Sequence, residues 1–168
     1  MASGGVGNTT DVCGELFKMM AGINMVHVPY RGAGPALTDL LGGQVQVLFD
    51  ALPSSIEHIR AGRLRALAVT TATRWETLVD IPAMSESVPG YEASSWFGIV
   101  APKGTPNEIV NKLNKEINAG LADPKLVSRF AELGAIALSS SPAEFGKRSR
   151  KQPLRPLPHD GASNVASS

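Results

Sequence analysis

Apolar positions along the chain switch between two spacings, and the switch predicts helices alternating with strands. Over residues 10–20, Val12, Leu16, Met19 and Met20 recur at intervals of three and four, the mark of an amphipathic helix. Thr9 or Thr10 can cap its start, Asp11 suits the positive end of its dipole, and Gly22 is placed to stop it. Residues 25–30 read as a short strand with Pro29 at its end. Pro35 then stands at or near the first position of a helix reaching Leu41, and Gly42-Gly43 ends it. Val45, Val47 and Phe49 alternate with Gln44, Gln46 and Leu48, which predicts a strand with Asp50 just past its end. Pro53-Ser54-Ser55 opens a helix to about Ala61, and residues 64–70 form a nearly continuous apolar strand of the kind buried on both faces of a parallel sheet. Strands alternating with helices over residues 1–70 predict an α/β fold with a mostly parallel sheet.

The second half has a different rhythm. Residues 71–95 are loop-rich, with Pro82, Pro89 and Gly90, and residues 94–101 are a further strand candidate containing Trp96 and Phe97. Those two aromatics serve either a core or a hinge. A strong amphipathic helix follows over 106–121, with Thr105 as cap, Pro106 at its first position and Ile109, Val110, Leu113, Ile117 and Leu121 on its apolar face. A helix over 123–133 starts at Asp123-Pro124 and ends at Gly134. Ser141 with Glu144 makes a capping box for a third, which is not expected to run past Gly146. Residues 147–168 lack apolar periodicity and carry Pro153, Pro156 and Pro158, so they are expected to be disordered.

Composition narrows the function classes. With 168 residues, 43% hydrophobic and 18% charged, and a mean hydropathy of zero, the chain reads as a soluble globular protein. A net charge of +1 argues against a nucleic-acid partner. The balance is uneven: residues 1–146 hold 11 basic and 14 acidic side chains, a sum of −3, while residues 147–168 hold five and one, a sum of +4. One cysteine excludes an internal disulfide framework and a Cys-rich zinc module, and 5% aromatics disfavours a stacking platform. No apolar run is long enough for direct membrane insertion. Met1-Ala2-Ser3-Gly4-Gly5 has neither the basic nor the apolar region of a signal peptide, so the chain as written would stay cytoplasmic.

The candidate chemistry lies in two glycine-rich turns, Ser3-Gly4-Gly5-Val6-Gly7-Asn8-Thr9 and Arg31-Gly32-Ala33-Gly34, each directly before a helix. First-turn N–H groups lack internal acceptors, and with the helix dipole they make an anion site. Adjacent parallel strands would open both sites on one sheet edge. Neither turn is a phosphate-binding loop with Gly-Lys-Ser/Thr, and Thr10 stands where a dinucleotide fingerprint needs its third glycine. The alternative is that these residues only make turns. Asp50 either orients a ligand amine or hydroxyl or caps the next helix. Cys13 reads as a small buried thiol rather than a nucleophile. His27 reads as a strand-face residue, and His58, beside Glu57 and Arg60, as solvated. His159 falls in the tail, and Arg60, Arg63 and Arg65 form a solvated edge. No two histidines share a metal-ligand spacing, so neither a metal nor another cofactor is expected.

Taken together, several runs resemble the Bug-type solute-binding receptors of tripartite tricarboxylate transporters. They are Glu15-Leu16-Phe17-Lys18, Val26-His27-Val28-Pro29-Tyr30-Arg31-Gly32, Pro35-Ala36-Leu37-Thr38-Asp39-Leu40-Leu41-Gly42-Gly43-Gln44-Val45, Phe49-Asp50, Leu52-Pro53-Ser54, Gly62 to Thr70, Trp96-Phe97-Gly98 and Ala101-Pro102-Lys103-Gly104-Thr105-Pro106. The likeness covers about residues 2–146. It implies a periplasmic-binding-protein-like α/β fold, a hinged two-domain receptor and no enzymatic activity. It also implies a small carboxylate solute and a membrane transporter as partners.

By that resemblance, the turn with Ser3, Gly7, Asn8, Thr9 and Thr10 holds one carboxylate. Arg31, Gly32, Ala33, Gly34 and Pro35 help read the distal end of the solute, and Asp50 lies near the cleft. Family turns usually run Ser-Gly-x-Gly-Thr-Ser, from which Ser3-Gly4-Gly5-Val6-Gly7-Asn8-Thr9-Thr10 departs. Family members are also longer. The resemblance therefore implies an incomplete second domain over 1–95, a remnant of the first over 96–146, and an unrelated tail over 147–168. Such a truncated receptor is expected to bind poorly or to be a non-functional fragment. An enzyme using the anion sites on a phosphorylated substrate is the remaining reading.

Overall fold

A computed structural model of the chain describes residues 1–151. Its centre is strand β1 (Ala2–Ser3), paired in parallel with β2 (Val28–Pro29), Ala2 opposite Val28 and Ser3 opposite Pro29. On the other side Ala2 bridges in parallel to Leu48, its N–H donating to the Val47 carbonyl at 2.7 Å. With a neighbour on each edge, Ala2 and Ser3 are fully buried. The parallel α/β layer expected from the alternation is present, with less regular strand than predicted.

The predicted strand over 25–30 contracts to β2, and the one over 44–49 contributes the single bridge at Leu48. Residues 64–70 depart furthest from expectation. They are not buried on both faces: Leu67 is 61% exposed, and the segment pairs only where Val69 bridges Ala83. Val69 exchanges bonds with Pro82 and Met84, and the Thr70 carbonyl accepts from Ala93 N–H at 2.9 Å. Residues 94–101 form no strand, and Phe97 is 88% exposed. An apolar run becomes a strand only where an edge is offered to it, and propensity alone did not supply one.

Helices α1 (Thr9–Ala21) and α2 (Ala33–Leu41) pack on β1, and α3 (Leu52–Arg60) packs on α2. Asn8, not Thr9 or Thr10, caps α1, its Oδ1 accepting from Asp11 N–H at 3.0 Å. Gly22 closes the helix in the left-handed conformation, as expected. Helix α2 starts two residues before Pro35, from Gly32 as cap. The core behind these elements includes an aromatic cluster. The Phe17 ring lies 5.9 Å from Phe49 and 6.3 Å from Tyr91, and the Tyr91 hydroxyl donates to the Cys13 carbonyl at 2.9 Å.

A single 3-10 turn, Met84–Glu86, interrupts the loop region and anchors an ion pair. Arg74 Nε and Nη2 donate to the two Glu86 oxygens at 2.8 and 2.7 Å, and Ala83 N–H donates to Oε1 at 2.9 Å. The Arg74 bonds lead in holding the Glu86 carboxyl at about 2, below its ordinary 4.5. A depressed carboxyl contributes stability above its unfolded pKa and loses it as pH falls through the folded value. Glu86→Gln is therefore expected to lower the denaturation midpoint modestly at neutral pH and to flatten its fall between pH 4.5 and about 2, so that the two chains converge at the acid end. An unaltered pH profile in urea denaturation would remove the assignment.

Helices α4 (Asn107–Leu121), α5 (Pro124–Glu132) and α6 (Pro142–Lys151) form a second group, α5 and α6 packing on α4. Asn114 and Asn118 donate to the Ser140 carbonyl at 2.9 and 3.1 Å, and Trp96 stands edge-on to Phe145 at 5.2 Å. Trp96 thus packs against a ring, while its neighbour Phe97 faces solvent. Pro106, without a side-chain bond, occupies the cap position of α4, because the Thr105 hydroxyl is turned back to the Pro102 carbonyl at 2.8 Å. Asp123 caps α5 as its sequence implied, and Ser141 and Glu144 form the expected capping box. Helix α6 then continues to Lys151, so residues 147–151 are helical where disorder was expected. Lys147, Arg148, Arg150 and Lys151 are good helix formers, and the first proline comes only at 153. The rest of the predicted tail, 152–168, lies outside the described residues.

The two groups meet at α3. Arg60 Nη2 donates to the Glu132 carbonyl at 2.9 Å, and Gly134 sits directly against the Leu52 side chain.

Candidate functional site

Each parallel strand segment of the first group runs into a helix: β1 into α1, β2 into α2, and the segment ending at Asp50 into α3. Parallel strands carry their following helices to the same sheet edge, so the N-termini of α1, α2 and α3 open together. The two glycine-rich turns are bonded to each other there, Gly32 N–H donating to the Gly4 carbonyl at 2.9 Å. That contact requires backbone to pass close to backbone. A Cβ on Gly5 would stand 3.2 Å from the Tyr30 carbonyl oxygen, and Gly5 holds φ +141°, a conformation L side chains rarely adopt.

The first turn is braced from inside. Gly4 N–H donates to Thr10 Oγ1 at 2.9 Å, Gly7 N–H to Asp11 Oδ2 at 2.7 Å, and the Thr10 hydroxyl to Asn8 Oδ1 at 2.7 Å. Asn8 Oδ1 and Asp11 Oδ2 are therefore committed to holding the loop. The N–H groups of Thr9 and Thr10, at the first two positions of α1, have no intrahelical acceptor. At α2 the cap is Gly32, which has no side chain to satisfy the first-turn donors of Ala33 and Gly34. Beside them Arg31 is exposed and makes no hydrogen bond or ion pair among the described residues. Pro35 lacks an N–H and sits in the first turn of α2 without wasting a donor.

Ser3 plays a different part from its neighbours. It is fully buried, its Oγ lies 2.7 Å from His27 Nε2, and it also accepts from Gly5 N–H at 3.3 Å. His27 Nδ1 in turn faces Asp11 Oδ1 at 3.4 Å. Serine, histidine and aspartate stand in line, but a fully buried hydroxyl offers a substrate no approach, so the line braces the turn. His27 is consequently not a plain strand-face residue; it links β1 to α1. Periodicity showed its alternation with Val26 and Val28, but only the fold shows what it meets.

Asp50 lines a small cavity of about 50 Å³ together with Thr9, Thr10, Cys13, Phe49 and Thr70 among others. Ser55 donates its hydroxyl to Asp50 Oδ2. Burial raises the Asp50 carboxyl above its ordinary value, and the Ser55 bond works against that rise. Helix α3 has Ala51 as cap with no side-chain bond, so Asp50 does not cap it by the usual route. Cys13 is buried, and burial pushes its thiol up, away from nucleophilic use. His58 is half-buried with an Nδ1 that has no hydrogen-bond partner among the described residues, unlike the solvated residue expected.

The described residues thus form a parallel α/β layer with two glycine-rich turns joined at one sheet edge. The chain belongs to the tripartite tricarboxylate transporter receptor family, TctC, whose model matches residues 1–145. It is 39% identical over 138 residues to Protein BugT of Bordetella pertussis, covering 82% of this chain and 42% of BugT. It is 38% identical over 143 residues to a UPF0065 protein of Pseudomonas sp. strain P51, covering 84% of this chain and 43% of that protein. A UPF0065 protein of Pseudomonas knackmussii matches at 32% over 144 residues, 85% of its own length.

Among solved structures, an R. palustris protein with adipate superposes with a TM-score of 0.87 at 40% identity, over 89% of this chain and 50% of that one. The periplasmic binding protein BugD gives 0.83 at 38%, over 89% and 52%. MatC of Rhodopseudomonas palustris, with bound malate, gives 0.82 at 26%, over 89% and 53%. The chain thus spans about half the length of most relatives it matches. The family is one of solute-binding receptors, not enzymes, which removes the phosphorylated-substrate reading. No helix among the described residues is long and apolar enough to cross a membrane.

Proposed function

We propose that this chain supplies one wall of the binding cleft of a periplasmic receptor that delivers a small carboxylate solute to the membrane subunits of a tripartite transporter. The observation that carries the reading is the convergence of the N-termini of α1, α2 and α3, with the first two turns tied by the Gly32–Gly4 bond. Thr9, Thr10, Ala33 and Gly34 offer backbone donors toward one carboxylate, as helix N-termini do for anions generally. Gly7 and Asn8 shape the first loop, Ser3 supports it from beneath, and Arg31, Gly32 and Pro35 frame the second. Asp50, in the same small cavity as Thr9 and Thr10, offers an acceptor to a hydroxyl or ammonium of the solute. Adipate and malate in the related structures support the solute class.

Small solutes are ordinarily buried over most of their surface, whereas these donors line a single open wall. The 168-residue chain is therefore expected to bind adipate or malate only weakly. In an amide NMR titration with either acid, shifts should appear in fast exchange at residues 7–10 and 32–34 and nowhere else as strongly. Shifts centred elsewhere, or none up to saturating acid, would overturn the assignment. Micromolar affinity would instead show that the described wall suffices.

A further inference from the structure

Beneath the first turn, Asp11, Glu15 and His27 each offer one ligand atom, and these atoms all lie within 4.8 Å of one another. We propose that this cluster is a site for a divalent transition cation, of which zinc is the best match. Asp11 and Glu15 lie four residues apart on one face of α1, and His27 approaches from the segment leading into β2.

A second observation stands apart from the clustering. Asp11 is only 8% exposed, and its buried Oδ1 accepts no hydrogen bond, although the other oxygen is taken by Gly7 N–H. A buried carboxylate oxygen left without a donor is costly unless a cation satisfies it. Oδ1 points at His27 Nδ1, 3.4 Å away. Two ligands held about 2.1 Å from one tetrahedral ion stand about 3.4 Å apart, so the spacing matches an ion between them better than a direct hydrogen bond.

The surroundings agree. Ligating histidines ordinarily donate their other ring N–H to a fixed acceptor, and His27 Nε2 has Ser3 Oγ at 2.7 Å. With Nε2 as donor, the Ser3 hydroxyl turns to the Gly5 carbonyl at 3.4 Å, and Nδ1 presents its lone pair toward Asp11. Two carboxylates and a neutral imidazole balance a doubly charged ion. One imidazole with two carboxylates suits zinc better than calcium, which prefers more oxygen ligands. Three protein ligands leave one position open, on the side of the partly exposed Glu15, which would have to give up its present contacts to Lys18 Nζ at 2.9 Å.

The proposal does not depend on the carboxylate reading. It is tested by calorimetric titration of zinc chloride into the full chain after dialysis against a chelator, with circular dichroism to verify folding. The expected result is one zinc per chain, with Glu15→Gln and His27→Gln each weakening it by about tenfold or more. Glu15→Gln keeps the Gly7 and Ser3 contacts intact, so it stays informative even if His27→Gln or Asp11→Asn unfolds. Absence of saturable zinc binding would overturn the site. Binding unchanged in the folded Glu15→Gln and His27→Gln chains would do so equally, since it would place the ion elsewhere.

Discussion

Tyr91→Ala should be among the most destabilising single substitutions in this chain, costing about 3–5 kcal/mol as for other large aromatic truncations in a core. Tyr91 is 1% exposed, its ring stands edge-on to Phe17, and Phe17 in turn packs on Phe49. Removing it opens a cavity between α1 and the loop region, and the Cys13 carbonyl loses the 2.9 Å bond from the hydroxyl. Tyr91→Phe isolates that bond and should cost about 0.5–1.5 kcal/mol, because the ring remains while one side-chain hydrogen bond to the Cys13 carbonyl is lost. Urea denaturation of both variants separates the two contributions. Equal losses in the two would show that packing contributes nothing and would refute the cavity account.

Gly134→Ala should also be strongly destabilising, for two separate reasons. Gly134 follows α5 with φ +72°, which a Cβ strains by about 1 kcal/mol. The added Cβ would also overlap the Leu52 side chain along its length, from Cβ to Cδ2, and overpacking of this kind costs about 1–3 kcal/mol. Leu52 opens α3, so the damage falls on the seam between the two helical groups. Leu52→Ala in the Gly134→Ala background removes the overlap and should recover part of the loss. Thermal denaturation of the single and double variants measures the recovery, and no recovery would mean that the seam is not formed by this contact.

Much of the fold was legible because its signals are local. Helices α1 and α4 announced themselves through apolar spacing, α5 and α6 through Asp123 and the Ser141–Glu144 box, and the end of α1 through Gly22. Start positions were less secure, since Asn8, Thr9 and Thr10 are all able caps. The winner was Asn8, because Thr10 is engaged with Gly4 across the turn. Strand composition misleads for a related reason. Residues 64–70 and 94–101 have strand composition, but strand pairing requires a partner edge, and the first finds one only at Val69 while the second finds none.

The site divides in the same way. Glycines before helices marked both turns in the sequence, and the runs shared with the receptor family placed Arg31, Pro35 and Asp50 beside them. Nothing in the spacing showed that Gly32 bonds to Gly4, that Ser3 is buried beneath its turn, or that His27 meets Asp11 and Glu15. These contacts join residues up to 28 positions apart and depend on β1 lying between two parallel neighbours. By itself, then, the sequence determined the alternation of helix and strand, the family, and which turns offer free backbone donors, because periodicity, glycine placement and helix-end chemistry act over a few residues. Only the tertiary structure decided which donors share an opening, which polar side chains turn inward, and where a carboxylate oxygen is left without a hydrogen bond, because those follow from strand order and close approach of distant backbone.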